Sequence, residues 1–198
     1  MKKVFINSIA ALALFTLITG VIYPFTVTLL GQLFFPAKSN GSLIFKNDKV
    51  IGSKLIGQNF ADNIYFSSRP SSIDYNPMPS GASNLGLSSD LLHKMVSDRK
   101  KEFKERNNIP DDIQIPPDML FASGSGVDPH ISVEAAKLQV NRILKSRNLD
   151  QVDRKIIDSL IDYQTEYPQF GVLGNKVVNV LELNLKLDEA NKKWKVKN

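Results

Sequence analysis

The segment Ala122-Ser123-Gly124-Ser125-Gly126-Val127-Asp128-Pro129-His130-Ile131-Ser132 is the densest run of chemically capable side chains in this 198-residue sequence. Ser123, Ser125, Asp128 and His130 are the residue types of a nucleophile, a base and an orienting acid. They fall within eight positions of one loop, however, whereas triad members usually come from separate elements. The nucleophile elbow Gly-x-Ser-x-Gly is also missing. A hydrolase using Ser125, Asp128 and His130 is therefore the rival reading and not the leading one. Gly-rich backbone running into a helix can also present N–H groups to an anion. Here neither Gly-x-x-x-x-Gly-Lys-Ser/Thr nor Gly-x-Gly-x-x-Gly occurs, and no nearby lysine could hold a phosphate. A tight loop whose Gly and Ser residues satisfy backbone groups is the plainer expectation. His93 and His130 are the two imidazoles, Cys is absent, and no HExxH or EF-hand pattern occurs, so no metal site is expected. The residues thus give no catalytic group, no metal ligand and no cofactor site.

The elements that must position this loop read as an α+β domain over residues 38–189. Ser42-Leu43-Ile44-Phe45 and Val50-Ile51, joined by Lys46-Asn47-Asp48-Lys49, form a hairpin, with a further extended piece at Lys54-Leu55-Ile56. From Ser67 to Ser89 the chain is loop-like, with three Pro and two Gly. So long a loop is uncommon unless it carries function, and this one contains Arg69, Asp74, Tyr75 and Asn84. Three helices follow: one capped by Asp90 and running to about Arg106, one capped by Ser132 over Val133 to Arg147, and one capped by Asp150. Along the first, Arg99, Lys100, Lys101, Lys104 and Arg106 alternate with Asp98, Glu102 and Glu105. This reads as a solvated mixed-charge face; no aromatics interleave the basic residues, and no nucleic-acid partner is expected. After Gly171 and Gly174 the period changes. Val177, Asn179, Leu181, Leu183, Leu185 and Leu187 fall on one face and Val178, Val180, Glu182, Asn184 and Lys186 on the other, which predicts a C-terminal strand joining the early ones.

The charge of +5 belongs to the ends. Lys2 and Lys3 stand at the start and Lys192, Lys193, Lys195 and Lys197 near the close, while residues 38–189 hold 19 basic and 20 acidic residues. Residues 190–198 therefore read as a basic, flexible tail. Between Lys3 and Lys38 lie 34 residues without a charge or His. As a helix these would run about 51 Å, beyond the roughly 30 Å hydrocarbon core. Residues 1–37 are thus a short cytoplasmic N-terminus and a transmembrane anchor including Val4, Phe15, Gly20 and Tyr23. The apolar run is too long for a signal peptide, and Ile18 falls where a small residue would be needed before cleavage. Pro24 should end or kink the helix, Tyr23 should sit near the headgroups, and Asn7, Thr16 and Thr19 could face other helices. With Lys2 and Lys3 before the span, the positive-inside rule places the N-terminus in the cytoplasm and residues 38–198 outside, in a single-pass plasma- or inner-membrane protein.

Five stretches in this order behind one span are Gly52-Ser53-Lys54-Leu55-Ile56-Gly57-Gln58-Asn59-Phe60, Tyr65-Phe66-Ser67-Ser68-Arg69-Pro70-Ser71, Ser80-Gly81-Ala82-Ser83-Asn84-Leu85-Gly86, Ala122 to Ser132 with Ala135-Ala136, Gln139 and Arg142, and Asn179-Val180-Leu181-Glu182-Leu183-Asn184-Leu185. They resemble the C subunit of the Kdp-type potassium-transporting P-type ATPase of bacteria and archaea. Ala82, Leu87, Phe121 and Asn175-Lys176-Val177 depart from that pattern and mark a divergent member.

The resemblance implies a non-catalytic accessory subunit of a high-affinity ATP-driven potassium uptake complex. Its partners would be a potassium-channel-like pore subunit, a P-type ATPase subunit and a small single-span subunit. ATP, magnesium and potassium would be used by the complex, with no cofactor in this chain. The family's C subunit is described as assisting assembly and as a catalytic chaperone that raises the ATP affinity of the pump subunit. An outward domain could do so only through the membrane subunits, and covering or shaping the potassium entrance is a second outward role. Gln58, Arg69, Asn84, Ser123, Ser125, Asp128 and His130 are the candidate partner-binding residues.

Overall fold

In the computed structural model the backbone is described for residues 1–197 and side chains for residues 1–190. The basic tail expected over 190–198 lies, from residue 191 on, outside the described side chains. The chain divides into two compact units, Met1–Ser53 and one beginning at Lys54.

The first unit is built on one apolar helical run, Lys2–Phe34, long enough to cross a membrane. It comprises α1 (Lys2–Leu17), a π-helical turn (Ile18–Ile22) and α2 (Tyr23–Phe34). Pro24 does not end the run. The wider π turn just before it accommodates a ring that has no N–H to donate, so the helix continues with Pro24 in the first turn of α2. Ser8, Thr19 and Thr26 donate to the carbonyls four residues back (Val4, Phe15 and Ile22), which satisfies these hydroxyls inside their own helix. Of the residues expected in the anchor, Val4 and Phe15 lie on α1, Gly20 in the π turn and Tyr23 at the start of α2. A short helix α3 (Pro36–Ser39) leads to the antiparallel hairpin β1 (Leu43–Lys46) and β2 (Lys49–Ser53). Asn47 and Asp48 both adopt positive φ, 51° and 58°, the geometry of the tight turn that suits hairpin twist.

The second unit packs helices around a small sheet. Helix α4 (Asp90–Asn107) is capped by Ser89, whose hydroxyl accepts from the Leu92 N–H, with Asp90 at the first helical position and not the cap. A 3₁₀ turn (Pro117–Met119) precedes β3 (His130–Ser132) and α5 (Val133–Arg147). Helix α6 (Gln151–Tyr163) opens on a full capping box between Asp150 and Asp153. Strands β4 (Thr165–Glu166) and β5 (Val177–Asn179) follow, and α7 (Val180–Lys197) ends the described chain. The sheet order is β3-β5-β4, all antiparallel.

Three expectations are corrected here. The C-terminal strand is three residues long, and from Val180 the chain is helical. Val180, Leu183, Asn184 and Leu187, all buried, lie at i, i+3, i+4 and i+7, so one face of a helix buries what the alternation suggested a strand would. Nor does β5 join the early strands: it pairs with β3 and β4, while β1 and β2 pair only with each other. Lys54-Leu55-Ile56 is turn-like and forms no strand. The core gathers Ile131, Ala135, Ala136, Val140, Ile143, Ile157, Ile161, Val178, Leu183 and Leu187 around the fully buried, loop-borne Phe66.

Candidate functional site

The long loop that begins at Lys54 has no ladder of its own, so its backbone groups need other partners. Two buried amides supply them. Asn184 on α7 accepts the Phe66 N–H at 2.8 Å and donates to the Phe66 carbonyl at 2.9 Å. Gln139 on α5 does the same for Ser67, at 2.7 and 3.3 Å. Arginines then hold the preceding residues. Arg106 donates to Ala61 O, Asn63 Oδ1 and Ser67 Oγ, and Arg142 to Asn63 O, Asn107 Oδ1 and Gln139 Oε1. Arg147 donates to Ile64 O and to Asp188, and its guanidinium lies 5.2 Å from the centre of the Tyr65 ring. Burial, with the nearby Arg106 charge, lowers Arg142 to about 10.

These contacts revise the reading of the α4 face. Arg106 clamps the loop, Lys104 is 8% exposed and donates to Pro110 O and Asp111 O, and Arg99 donates to Leu120 O. A substantial share of that charged face is structural and not solvated.

Anchored at Phe66, the loop delivers Arg69 to the Gly-rich segment. Arg69 Nη1 donates to Asp128 Oδ2 at 2.8 Å and Nη2 to Phe121 O at 3.4 Å, while its buried Nε has no partner among the described residues. The other Asp128 oxygen accepts the His130 backbone N–H at 3.0 Å and faces His130 Nδ1 at 3.3 Å. The Gly81 N–H donates to Ser125 O, and the Gly57 N–H donates to Val127 O. Five predicted residues, Arg69, Ser123, Ser125, Asp128 and His130, therefore meet in one cluster. Gln58 lies at its edge, its carbonyl accepting Ser68 Oγ at 2.7 Å, whereas Asn84 stays exposed on its loop with φ 53° and is not drawn in.

The geometry argues against nucleophilic chemistry. Ser123 Oγ accepts the Asp128 N–H and Ser125 Oγ the Val127 N–H. Among the described residues no hydrogen bond links either hydroxyl to His130. The N-terminus of α5 is also already occupied: Ser132 caps it through the Ala135 N–H, and Asp118 accepts from both the N–H and the hydroxyl of Ser132. A carboxylate from the chain thus stands where an anion would bind. No group of three or more His, Asp or Glu placed to hold a metal occurs among the described residues.

Opposing effects set the charges. Partial burial would raise Asp128, but hydrogen bonds from His130 and Arg69 outweigh it and lower its pKa to about 2. The bond to Asp128 raises His130 above its ordinary value, with burial opposing. The Asp128 contribution to stability is therefore present above about pH 4 and lost as pH falls toward 2. The His130 contribution is present below about pH 6.5 and lost as pH rises through its higher folded value. Urea unfolding against pH should show an acid limb of about 1–2 kcal/mol after solvent screening. In His130→Ala the alkaline limb should vanish and the acid limb should shrink and move upward in pH.

Among the described residues, the fold and cluster together define a chain with one apolar helix long enough to cross a membrane and an α+β unit whose charged loops are bonded to each other. The family model described as "KdpC: K+-transporting ATPase, c chain" matches residues 5–189, and the chain belongs to that family. It is 43% identical to the potassium-transporting ATPase KdpC subunit of Mycobacterium tuberculosis (strain ATCC 25618 / H37Rv) over 192 residues, covering 95% of this chain and 99% of that one. The KdpC subunit of Leptospira interrogans is 42% identical over 181 residues, 91% of each chain. That of Shewanella putrefaciens is 43% identical over 183 residues, 92% of this chain and 89% of its own.

The sequence nominated Arg69, Ser123, Ser125, Asp128 and His130 only as separate candidates, and it gave no role to Gln139, Asn184, Arg106 or Arg147. The available signal was a polar residue on the apolar face of each helix, at positions 139 and 184, where an unpartnered amide would be costly.

Proposed function

We propose that the chain is the accessory subunit of an ATP-driven potassium uptake complex, held by its span beside a potassium-channel-like pore subunit. The observation that carries this reading is the family match over residues 5–189. In this reading the N-terminus is cytoplasmic and residues 38–189 form the extracytoplasmic part. The Ser67–Ser89 and Ala122–Ser132 loops dock on the pore subunit and border the potassium entrance. Asp128, already tied to Arg69 and His130, gives these loops one rigid surface to present, and rigidity lowers the ordering cost of docking. ATP, magnesium and potassium act at the partner subunits, which include the P-type ATPase subunit and a small single-span subunit. Any rise in ATP affinity of the pump subunit passes through the membrane subunits as a coupling between distant sites.

Arg69→Ala and His130→Ala in the tagged chain test this. Recovery of the pore and ATPase subunits and potassium-dependent ATP hydrolysis should fall by about five- to thirty-fold, the equivalent of about 1–2 kcal/mol of docking energy. A thermal midpoint recorded for each variant separates lost docking from lost folding. Full recovery with a folded variant would sink the docking role. Protease added to intact spheroplasts tests orientation separately, since an outward domain is digested.

A further inference from the structure

The most conspicuous apolar exposure in the second unit lies apart from the cluster, where β4 gives way to β5. Over residues 167–174 the chain forms a small hairpin tip. The Gln169 N–H donates to Leu173 O at 2.9 Å, with a return N–H from Leu173 to Gln169 O at 3.0 Å, and the Gly171 N–H bonds Pro168 O. The tip is therefore a preformed projection and not loose chain. Its side chains face solvent: Phe170 is 91% exposed, and Tyr167, Val172, Leu173 and the adjacent Tyr163 are each more than 60% exposed. Soluble surfaces carry single apolar residues freely, but five large ones within eleven positions form a patch that calls for a partner.

Three observations choose that partner. The tip from Tyr167 to Lys176 contains no acidic residue, Glu166 standing at its base. Lys176 Nζ lies 5.2 Å from the centre of the Tyr167 ring, which puts a cation beside an aromatic at the rim of the apolar patch. Tyrosine, phenylalanine, aliphatics and lysine together make up the composition that settles at a bilayer interface, with rings at headgroup depth and the cation toward lipid phosphate.

Interfacial insertion needs only a few apolar side chains, which the tip supplies. The third observation is the point of tethering. The chain enters this unit at Lys54, whose carbonyl is held by Asn179 Nδ2 at 2.8 Å. Asn179 is two strand residues from Val177, where the tip rejoins the sheet, a distance of about 7 Å. The first residue of this unit and the base of the tip thus come together on one short strand.

The geometry points to the 167–174 tip as a second membrane contact, a hairpin that inserts Phe170 and Val172 into the headgroup region of the bilayer. This depends on the span but not on which subunit the cluster docks against. It would fix the orientation of the unit on the membrane with two points instead of one.

The test uses the full chain reconstituted in bilayers. With Trp194 replaced by Phe, Phe170→Trp or Val172→Trp places a lone indole at the tip, and Val152→Trp places one on exposed α6 as a reference. In vesicles of brominated phosphatidylcholine the tip indoles should lose about half of their emission relative to unbrominated vesicles, with a blue shift, while the Val152→Trp indole keeps its emission. Unquenched emission at both tip positions overturns the proposal. So does equal quenching at Val152→Trp, which would mean unspecific adsorption of the whole unit. Quenching that disappears when the partner subunits are assembled also overturns it, because the tip would then be a protein contact. Quenching that persists in the complex supports it.

Discussion

Asn184→Ala should lower the free energy of unfolding by about 3–5 kcal/mol, the largest single-residue effect expected outside the apolar core. Asn184 is 2% exposed and bonds both backbone groups of Phe66, whose side chain is fully buried. Truncation strands a buried N–H and a buried carbonyl at once, each worth about 1–3 kcal/mol, and leaves a small cavity. Asn184→Asp should not rescue it. A carboxylate can accept from the N–H, but it faces the Phe66 carbonyl with no proton to donate and brings a charge into the core. Gln139→Ala should cost less, about 1–3 kcal/mol, because Ser67 is only half-buried and water can reach its backbone. Urea unfolding of the three variants gives the ranking. A loss below about 1 kcal/mol for Asn184→Ala would mean that the loop is held by something other than this amide pair.

Gly57→Ala should be nearly as damaging, and its damage should reach the cluster. A Cβ at this position would stand 2.6 Å from Asp128 O, 3.0 Å from the Asp128 carbonyl carbon and 3.2 Å from Val127 O. All three are backbone atoms, so no flexible side chain can swing aside. The Gly57 N–H also donates to Val127 O at 2.7 Å, so moving the two loop segments apart breaks that bond and displaces Asp128 from Arg69 and His130. Overpacking and the lost bond together cost about 2–4 kcal/mol, equivalent to a fall of about 6–12 °C in thermal midpoint for a chain of this size. The raised His130 value should relax toward that of an ordinary imidazole in the same variant, which histidine NMR against pH would show. Gly124→Ala, with nothing within 4 Å of its Cβ, is the matched control and should be close to neutral. Equal midpoints for the two variants would remove the steric explanation.

Much of this was legible from local signals. The apolar helix, the hairpin turn at Asn47-Asp48 and the Ser132 and Asp150 caps follow from charge-free length, turn chemistry and capping residues that act within a few positions. The meeting of Arg69 with Asp128 and His130 was expected only as shared candidacy, and the bond between them spans 59 positions of sequence. The segment after Val177 was misread because alternate leucines and a helical face at positions 180, 183, 184 and 187 coexist in the same residues. Periodicity over so short a run does not separate them. The local pattern marks Gln139 and Asn184 as polar residues on apolar faces but does not say what they satisfy, because those groups belong to residues 72 and 118 positions away.

By itself the sequence determined the apolar helix, the starts of α5 and α6 and the lack of a metal or nucleotide motif, since each depends on residue types acting within a turn or two of one another. The resemblance to one family was also readable there, in five stretches of chain. Only the tertiary structure decided how a loop without secondary structure becomes a fixed support for Arg69. Burying Phe66 leaves backbone groups that water cannot reach, and only the packed positions of α5 and α7 bring amides to meet them. The same packing leaves the 167–174 tip projecting, its apolar side chains exposed because neither the sheet nor a helix covers them.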